Sequence, residues 1–206
     1  MLLHIHPDNP QPRQIKTVVD CLQGGGVIIY PTDTIYGIGC NIYNADAITR
    51  IARIKQLDPK KAQFSFICSD LSHLSDYAKS VDTPIFRLLK AMLPGPYTFI
   101  LEASKQVPKQ LKTKKDTVGI RIPDNKICHD LVKALGHPIM SASLPMDVDV
   151  AYYTDPELMY EQFGKQVDIV IDGGIGKLQA STVIDCTSGA PELIREGAGA
   201  VDWLIG

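Results

Sequence analysis

Nowhere does this 206-residue chain carry the roughly 18 consecutive apolar residues that a membrane-spanning helix needs. Its first residues, Met1 to Gln14, also lack the basic run and apolar core of an export signal, so a cytoplasmic protein with no membrane partner is expected. Cysteine is sparse: five residues, odd in number, far apart and mostly beside apolar neighbours. Such a set gives no disulfide framework and suits small reduced core side chains. Charge of one sign is missing too, since the formal net charge is −2, which excludes the global positive field of a dedicated nucleic-acid binder and leaves only a local basic patch. Internal repeats, low-complexity tracts and long Gly/Ser linkers are absent, so residues 1–206 are expected to form one domain.

Hydrophobic residues make up 45% of the chain and charged residues 21%, a balance that can support a packed core. Short β-branched runs predict strands at Val27 to Tyr30, Phe64 to Ile67, Tyr97 to Leu101 and Val118 to Ile122. Further strands are predicted at Pro138 to Ser143, Val167 to Ile171, Ser181 to Asp185 and Glu192 to Arg195. Helical spacing separates many of them. Thr83 before Pro84 and Asp155 before Pro156 read as helix N-caps, while Gly136 and Gly164 read as left-handed C-terminal stops. Asn44 to Lys55 predicts a helix with Ile48, Ile51, Ala52 and Ile54 facing the core and Arg50 and Arg53 on the polar side. Because consecutive strands are not all separated by helices, the fold class is α/β with a mixed sheet.

Several motifs fail on inspection. Gly24 to Gly26 precede a strand, whereas a dinucleotide loop follows one, so they predict a helix-ending turn. Asp172 to Lys177 imitates the end of a Walker loop but has Ile171 and Leu178 where glycine and a hydroxyl belong. His4 and His6 have no partners at metal-ligand spacing and read as an edge strand, so no protein-bound metal is expected. What survives is a group of polar residues at predicted strand and helix ends: Thr32, Thr34, Lys55, Arg121, Ser141, Ser143, Ser181, Thr182 and Arg195. Ligands of α/β sheets collect beyond strand ends, and hydroxyls with one lysine and two arginines suit a carboxylate and phosphates. The same residues also fit turn hydroxyls and surface charges.

The run Gly25-Gly26-Val27-Ile28-Ile29-Tyr30-Pro31-Thr32-Asp33-Thr34-Ile35-Tyr36-Gly37-Ile38-Gly39-Cys40 resembles the signature of the YrdC-like threonylcarbamoyl-adenylate synthases. The likeness continues in order through Ile51 to Lys55, Pro94 to Leu101, Val118 to Pro123, Ser141 to Ser143, Ser181 to Asp185 and Arg195 to Gly197, and it is nearest the YciO branch in its single-domain form. This resemblance implies an open, twisted mixed sheet with helices around a positively lined cavity. It implies a reaction as well: L-threonine, bicarbonate and ATP, the last with Mg2+, give threonylcarbamoyl-adenylate and pyrophosphate for modification of adenosine 37 in tRNA. By motif, Thr34 and Arg121 would hold threonine, and Lys55, Ser141, Ser143, Ser181 and Arg195 would hold the nucleotide and its phosphates. No side-chain nucleophile is required for chemistry that rests on positioning and charge stabilisation.

Two departures stand out, because the family's Lys-x-Arg pair appears as Lys55-Gln56-Leu57 and its Ser-x-Asn pair as Ser143-Leu144-Pro145. Impaired adenylation is the consequence expected of them. The family has also been associated with double-stranded RNA and tRNA, and here Arg50, Arg53, Lys60 and Lys61 cluster near Lys55 without interleaved aromatics, which suits phosphate contact over base readout. A hydrolase acting on threonylcarbamoylated tRNA would use the same pocket.

Overall fold

The computed structural model describes residues 1–57, 64–111, 116–144 and 153–204. In chain order the elements are β1 (Leu2–His4), α1 (Pro12–Gln23), β2 (Val27–Tyr30), β3 (Gly37–Asn41), α2 (Ala45–Ile54), β4 (Ser65–Ile67), α3 (Leu74–Tyr77) and α4 (Thr83–Met92). The second half contributes β5 (Tyr97–Glu102), β6 (Thr117–Arg121), α5 (Lys126–Leu135), β7 (Ile139–Ser143), α6 (Pro156–Phe163), β8 (Ile169–Asp172), β9 (Thr182–Asp185) and β10 (Glu192–Arg195). Among the described residues ten strands form one sheet, ordered β1-β8-β2-β3-β7-β4-β6-β5-β9-β10. Parallel pairs such as β4 with β6 alternate with antiparallel ones such as β3 with β7, so the sheet is mixed as expected. None of the described helices is long and apolar enough to cross a membrane.

Local chemistry accounts for most element ends. Asn44 and Asn125 each accept the backbone N–H three residues on, of Ala47 and Cys128, and so satisfy a donor that the first helical turn leaves open. Asp155 does the same for Glu157, with Pro156 at the first helical position. Gly136 ends α5 at φ +80°, the left-handed conformation that glycine adopts without steric cost. Two expectations are corrected here. Thr83 is the first residue of its helix, not the cap: Asp82 is the extended flanking residue, and Pro84 is tolerated anywhere in a first turn whose N–H groups are unbonded. Gly164 is right-handed at φ −59°, and glycine is needed there because a Cβ would lie 2.4 Å from the Tyr160 carbonyl oxygen.

Strand register sorts the side chains into two faces. Ser141 lies opposite Gly39 and Ser65, Ser65 opposite Gly119, and Gly119 opposite Ile100, so all of these share one side. The residues between them, Ile38, Phe66, Phe99, Ile120 and Met140, fill a core on the other side beneath α2, α3, α4 and α6. On the first side α1 and α5 cover Ile28, Tyr30, Ile67, Ile139 and Ile171 in a second core, but they leave the neighbouring small and polar residues uncovered. That uncovered part of the sheet is where the site forms.

Strand β3 escaped the sequence reading because two of its five residues are glycine, which weakens the strand signal. Packing supplies the reason for them: the fully buried Tyr30 ring lies against β3, and a Cβ on Gly39 would come within 2.7 Å of the Met140 carbonyl oxygen and 2.8 Å of Ile139 Cγ2. Gly39→Ala is therefore expected to lower stability by about 1–3 kcal/mol, read as a shift in the urea midpoint. An unchanged midpoint would mean that the β3–β7 contact yields without strain.

Candidate active site

The turn between β2 and β3 carries Thr32, Asp33 and Thr34, and its shape is held by its own hydroxyl. Thr32 Oγ1 accepts the Thr34 N–H at 3.0 Å and donates to the Ile35 carbonyl at 2.7 Å. This turn presents three oxygens to the end of β6, where Arg121 Nη2 meets Asp33 Oδ1 at 2.6 Å, Thr34 Oγ1 at 2.6 Å and Thr32 Oγ1 at 3.1 Å. The Arg121 and Asp33 side chains are only 9% and 6% exposed, so this is a buried ion pair. Asp33 Oδ2 accepts the Asp124 N–H at 3.2 Å and ties the turn to the β6–α5 connection. Arg121 Nε, by contrast, is buried with no hydrogen-bond partner. A buried donor left without a partner normally costs free energy.

Beside Arg121 lies a cavity of about 180 Å³, floored by the Gly119, Ser65, Thr98, Ser141 and Ser143 side of the sheet and lined also by Ser181 and Arg195. Its hydroxyls are fixed in place. Tyr30 donates to Ser141 Oγ at 2.5 Å, and Thr98 Oγ1 and Ser181 Oγ lie 2.9 Å apart. Arg195 Nη2 donates to the Ser181 carbonyl oxygen at 2.8 Å, which brings its charge to the cavity wall. Burial lowers the Arg195 pKa from its ordinary value, and the positive charge of Arg121 lowers it further, so the two guanidinium groups act on each other while both remain charged. None of the described lining residues is Asp or Glu. Burial pushes the Cys40 and Cys68 thiols up to about 12, which leaves them protonated and unsuited to attack.

The chain matches the Sua5/YciO/YrdC family model, described as telomere recombination, over residues 20–197. It belongs to this family. The YciO protein of Escherichia coli K12 is 46% identical over 199 residues, 96% of each chain. The crystal structure of E. coli YciO matches with a TM-score of 0.91 at 44% identity, over 98% of each chain. A threonylcarbamoyl-AMP synthase of Coxiella burnetii RSA 493 is 29% identical over 184 residues, 89% of this chain and 97% of that protein. The P. abyssi Sua5 structure complexed with L-threonine matches with a TM-score of 0.88 at 25% identity, over 99% of this chain and 59% of that one.

Within this family frame the structure gathers most of the expected residues and separates some. Arg121, Ser141, Ser143, Ser181 and Arg195 line the cavity. Thr34 does not: it is fully buried behind Arg121 and accepts its hydrogen bond. Lys55 caps the end of α2 and donates from Nζ to the Ser143 carbonyl oxygen, so it stands at the cavity rim through β7. Thr182 faces away from the cavity and holds the turn after β10, donating to the Gly199 carbonyl oxygen and accepting the Gly197 and Gly199 N–H groups.

Of the basic group, Arg50 is engaged elsewhere, pairing with Asp168 at 2.7 Å and donating to the Gln166 carbonyl oxygen. Arg53 is exposed, while Lys60 and Lys61 lie outside the described residues. Leu57 is 42% exposed just past α2, and Pro145 lies outside the described residues. Asp33 is the residue that sequence reasoning missed: it stands inside the signature run, but only the fold shows that its partner is 88 positions away.

Proposed function

We propose that this chain binds L-threonine and an adenine nucleotide in the cavity between β3 and β10 and carries out threonylcarbamoyl-adenylate chemistry there. The observation that carries this reading is the pairing of two arginines, one with a buried donor that has no partner, across a hydroxyl-lined cavity with no carboxylate among its described lining residues. In this reading Arg121 holds the threonine carboxylate. Arg195, Ser181, Ser141 and Ser143 hold phosphate oxygens, with Lys55 at the rim. The threonine nitrogen condenses with bicarbonate to a carbamate with loss of water; a carbamate oxygen then attacks the α-phosphorus of ATP, and pyrophosphate leaves. The protein contributes position and positive charge where the phosphates gain negative charge, and these are large terms in such reactions. Among the described residues the lining offers no carboxylate cage for a hard cation, and in this reading Mg2+ arrives with the nucleotide phosphates.

Incubating the pure protein with threonine, bicarbonate and ATP, and measuring threonylcarbamoyl-adenylate by mass, tests the reaction. Product is expected, formed slowly because of Leu57. Absence of both product and threonine binding at saturating ATP would overturn the reading.

A further inference from the structure

Arg121 and Arg195 face one cavity, yet they are not equivalent charges. Arg121 has a buried counter-ion: Asp33 Oδ1 sits 2.6 Å from Nη2, and the carboxylate is pinned at its other oxygen by the Asp124 N–H. Its side chain is 6% exposed and held from two directions, so it stays beside Arg121 when a ligand enters. Among the described residues Arg195 meets only Ser181, through the carbonyl oxygen at 2.8 Å and the hydroxyl at 3.5 Å, and has no carboxylate partner. Among the described residues the cavity therefore has one end that is neutral as a pair, with Arg121 Nε left without a hydrogen-bond partner, and one end with a cation that no carboxylate pairs.

These ends select different anions. A ligand with one negative charge and two oxygens can satisfy Arg121 by hydrogen bonds while meeting only modest repulsion from Asp33. A polyanion gains nothing net from a neutralised arginine and is repelled by the fixed carboxylate, an effect that is strong where water is excluded. Without Asp33 both ends would attract phosphate, and the triphosphate could occupy the amino-acid position.

We propose that Asp33 is a specificity-determining residue that neutralises Arg121, reserving that end of the cavity for a monoanionic carboxylate and directing polyanionic phosphate to Arg195. Identification of the carboxylate as threonine rests on the proposed function. The sorting of pyrophosphate between the two arginines rests on the cavity charges alone.

The test uses pyrophosphate and threonine as probes in calorimetry on the full chain. In the parent, saturating pyrophosphate is expected to change threonine affinity by less than about threefold, because the two anions occupy different ends. In Asp33→Asn, pyrophosphate is expected to bind roughly tenfold or more tightly and to compete with threonine, whereas Asp33→Glu, which keeps the charge, should behave as the parent does. Arg121→Gln added to Asp33→Asn should remove the gain. Direct competition between the probes in the parent, or unchanged pyrophosphate affinity in Asp33→Asn, would overturn the proposal.

A parent that binds pyrophosphate but not threonine would sink the proposed function, and the response of pyrophosphate affinity to Asp33→Asn would still decide the charge sorting. If Asp33→Asn does not fold, Arg195→Gln decides instead. Loss of pyrophosphate binding with threonine affinity kept within about threefold supports the sorting, and equal loss of both overturns it.

Discussion

In the Arg121→Ala protein, threonine affinity is expected to fall by roughly 2–4 kcal/mol, the usual effect of truncating one partner of a charged hydrogen-bonded contact. The same change should lower stability by about 3–5 kcal/mol, because it leaves Asp33 as a buried carboxylate without its counter-ion. Those two effects can be separated. Adding Asp33→Asn removes the stranded charge, so the double variant is expected to regain much of the stability and none of the threonine affinity. Calorimetry and urea unfolding on the three proteins read both quantities. If the double variant regains threonine binding along with stability, Arg121 acts only as a structural ion pair and is not the carboxylate anchor.

Leu57→Arg, alone and with Pro145→Asn, is expected to raise the rate of threonylcarbamoyl-adenylate formation. Loss of one donor to developing charge in a preorganised site costs on the order of 100-fold, and the reverse substitution should recover part of that. The position can accept the change, since Leu57 is 42% exposed and no core packing is lost. Its backbone is also well defined: Lys55 N–H bonds to the Ile51 carbonyl, Leu57 N–H to that of Ala52, and Gln56 takes a positive φ of 53° between them. An arginine would thus start from a fixed point two residues past Lys55, whose ammonium already reaches the Ser143 carbonyl oxygen. The pair should give more than either change alone if both side chains serve one charged centre. A parent that already turns over as fast as a family synthase in the same assay would show that Leu57 is harmless and would remove the premise.

Much of the architecture was legible in the residues because local rules and tertiary packing agree. Eight predicted strand segments, four of them marked by β-branched runs, fall on observed strands, and Asp155-Pro156 marked the start of α6 and Gly136 the end of α5 through chemistry that acts over a few residues. The edge reading of the first residues fits β1, which among the described residues pairs with β8 alone. Where the reading failed, close packing had overridden a simple propensity rule. Gly39 pairs with β2 and β7 despite its weak strand preference and is a glycine because Tyr30 and β7 approach too closely for a side chain, and Gly164 is a glycine for closeness to the Tyr160 carbonyl instead of for handedness.

The sequence by itself determined the chemistry available to the site: which hydroxyls, which two arginines and which lysine stand at strand and helix ends, and the alternation in Ser141-Ala142-Ser143 that puts two hydroxyls on one face. Only the tertiary structure decided how those groups divide the work. Thr34 moved behind Arg121, Arg50 was taken by Asp168, and Asp33 became the counter-ion that makes one arginine unlike the other. The reason is physical: composition and spacing report which charges a chain carries, whereas the field in a cavity depends on which charges are brought within a few ångströms of each other and shielded from water.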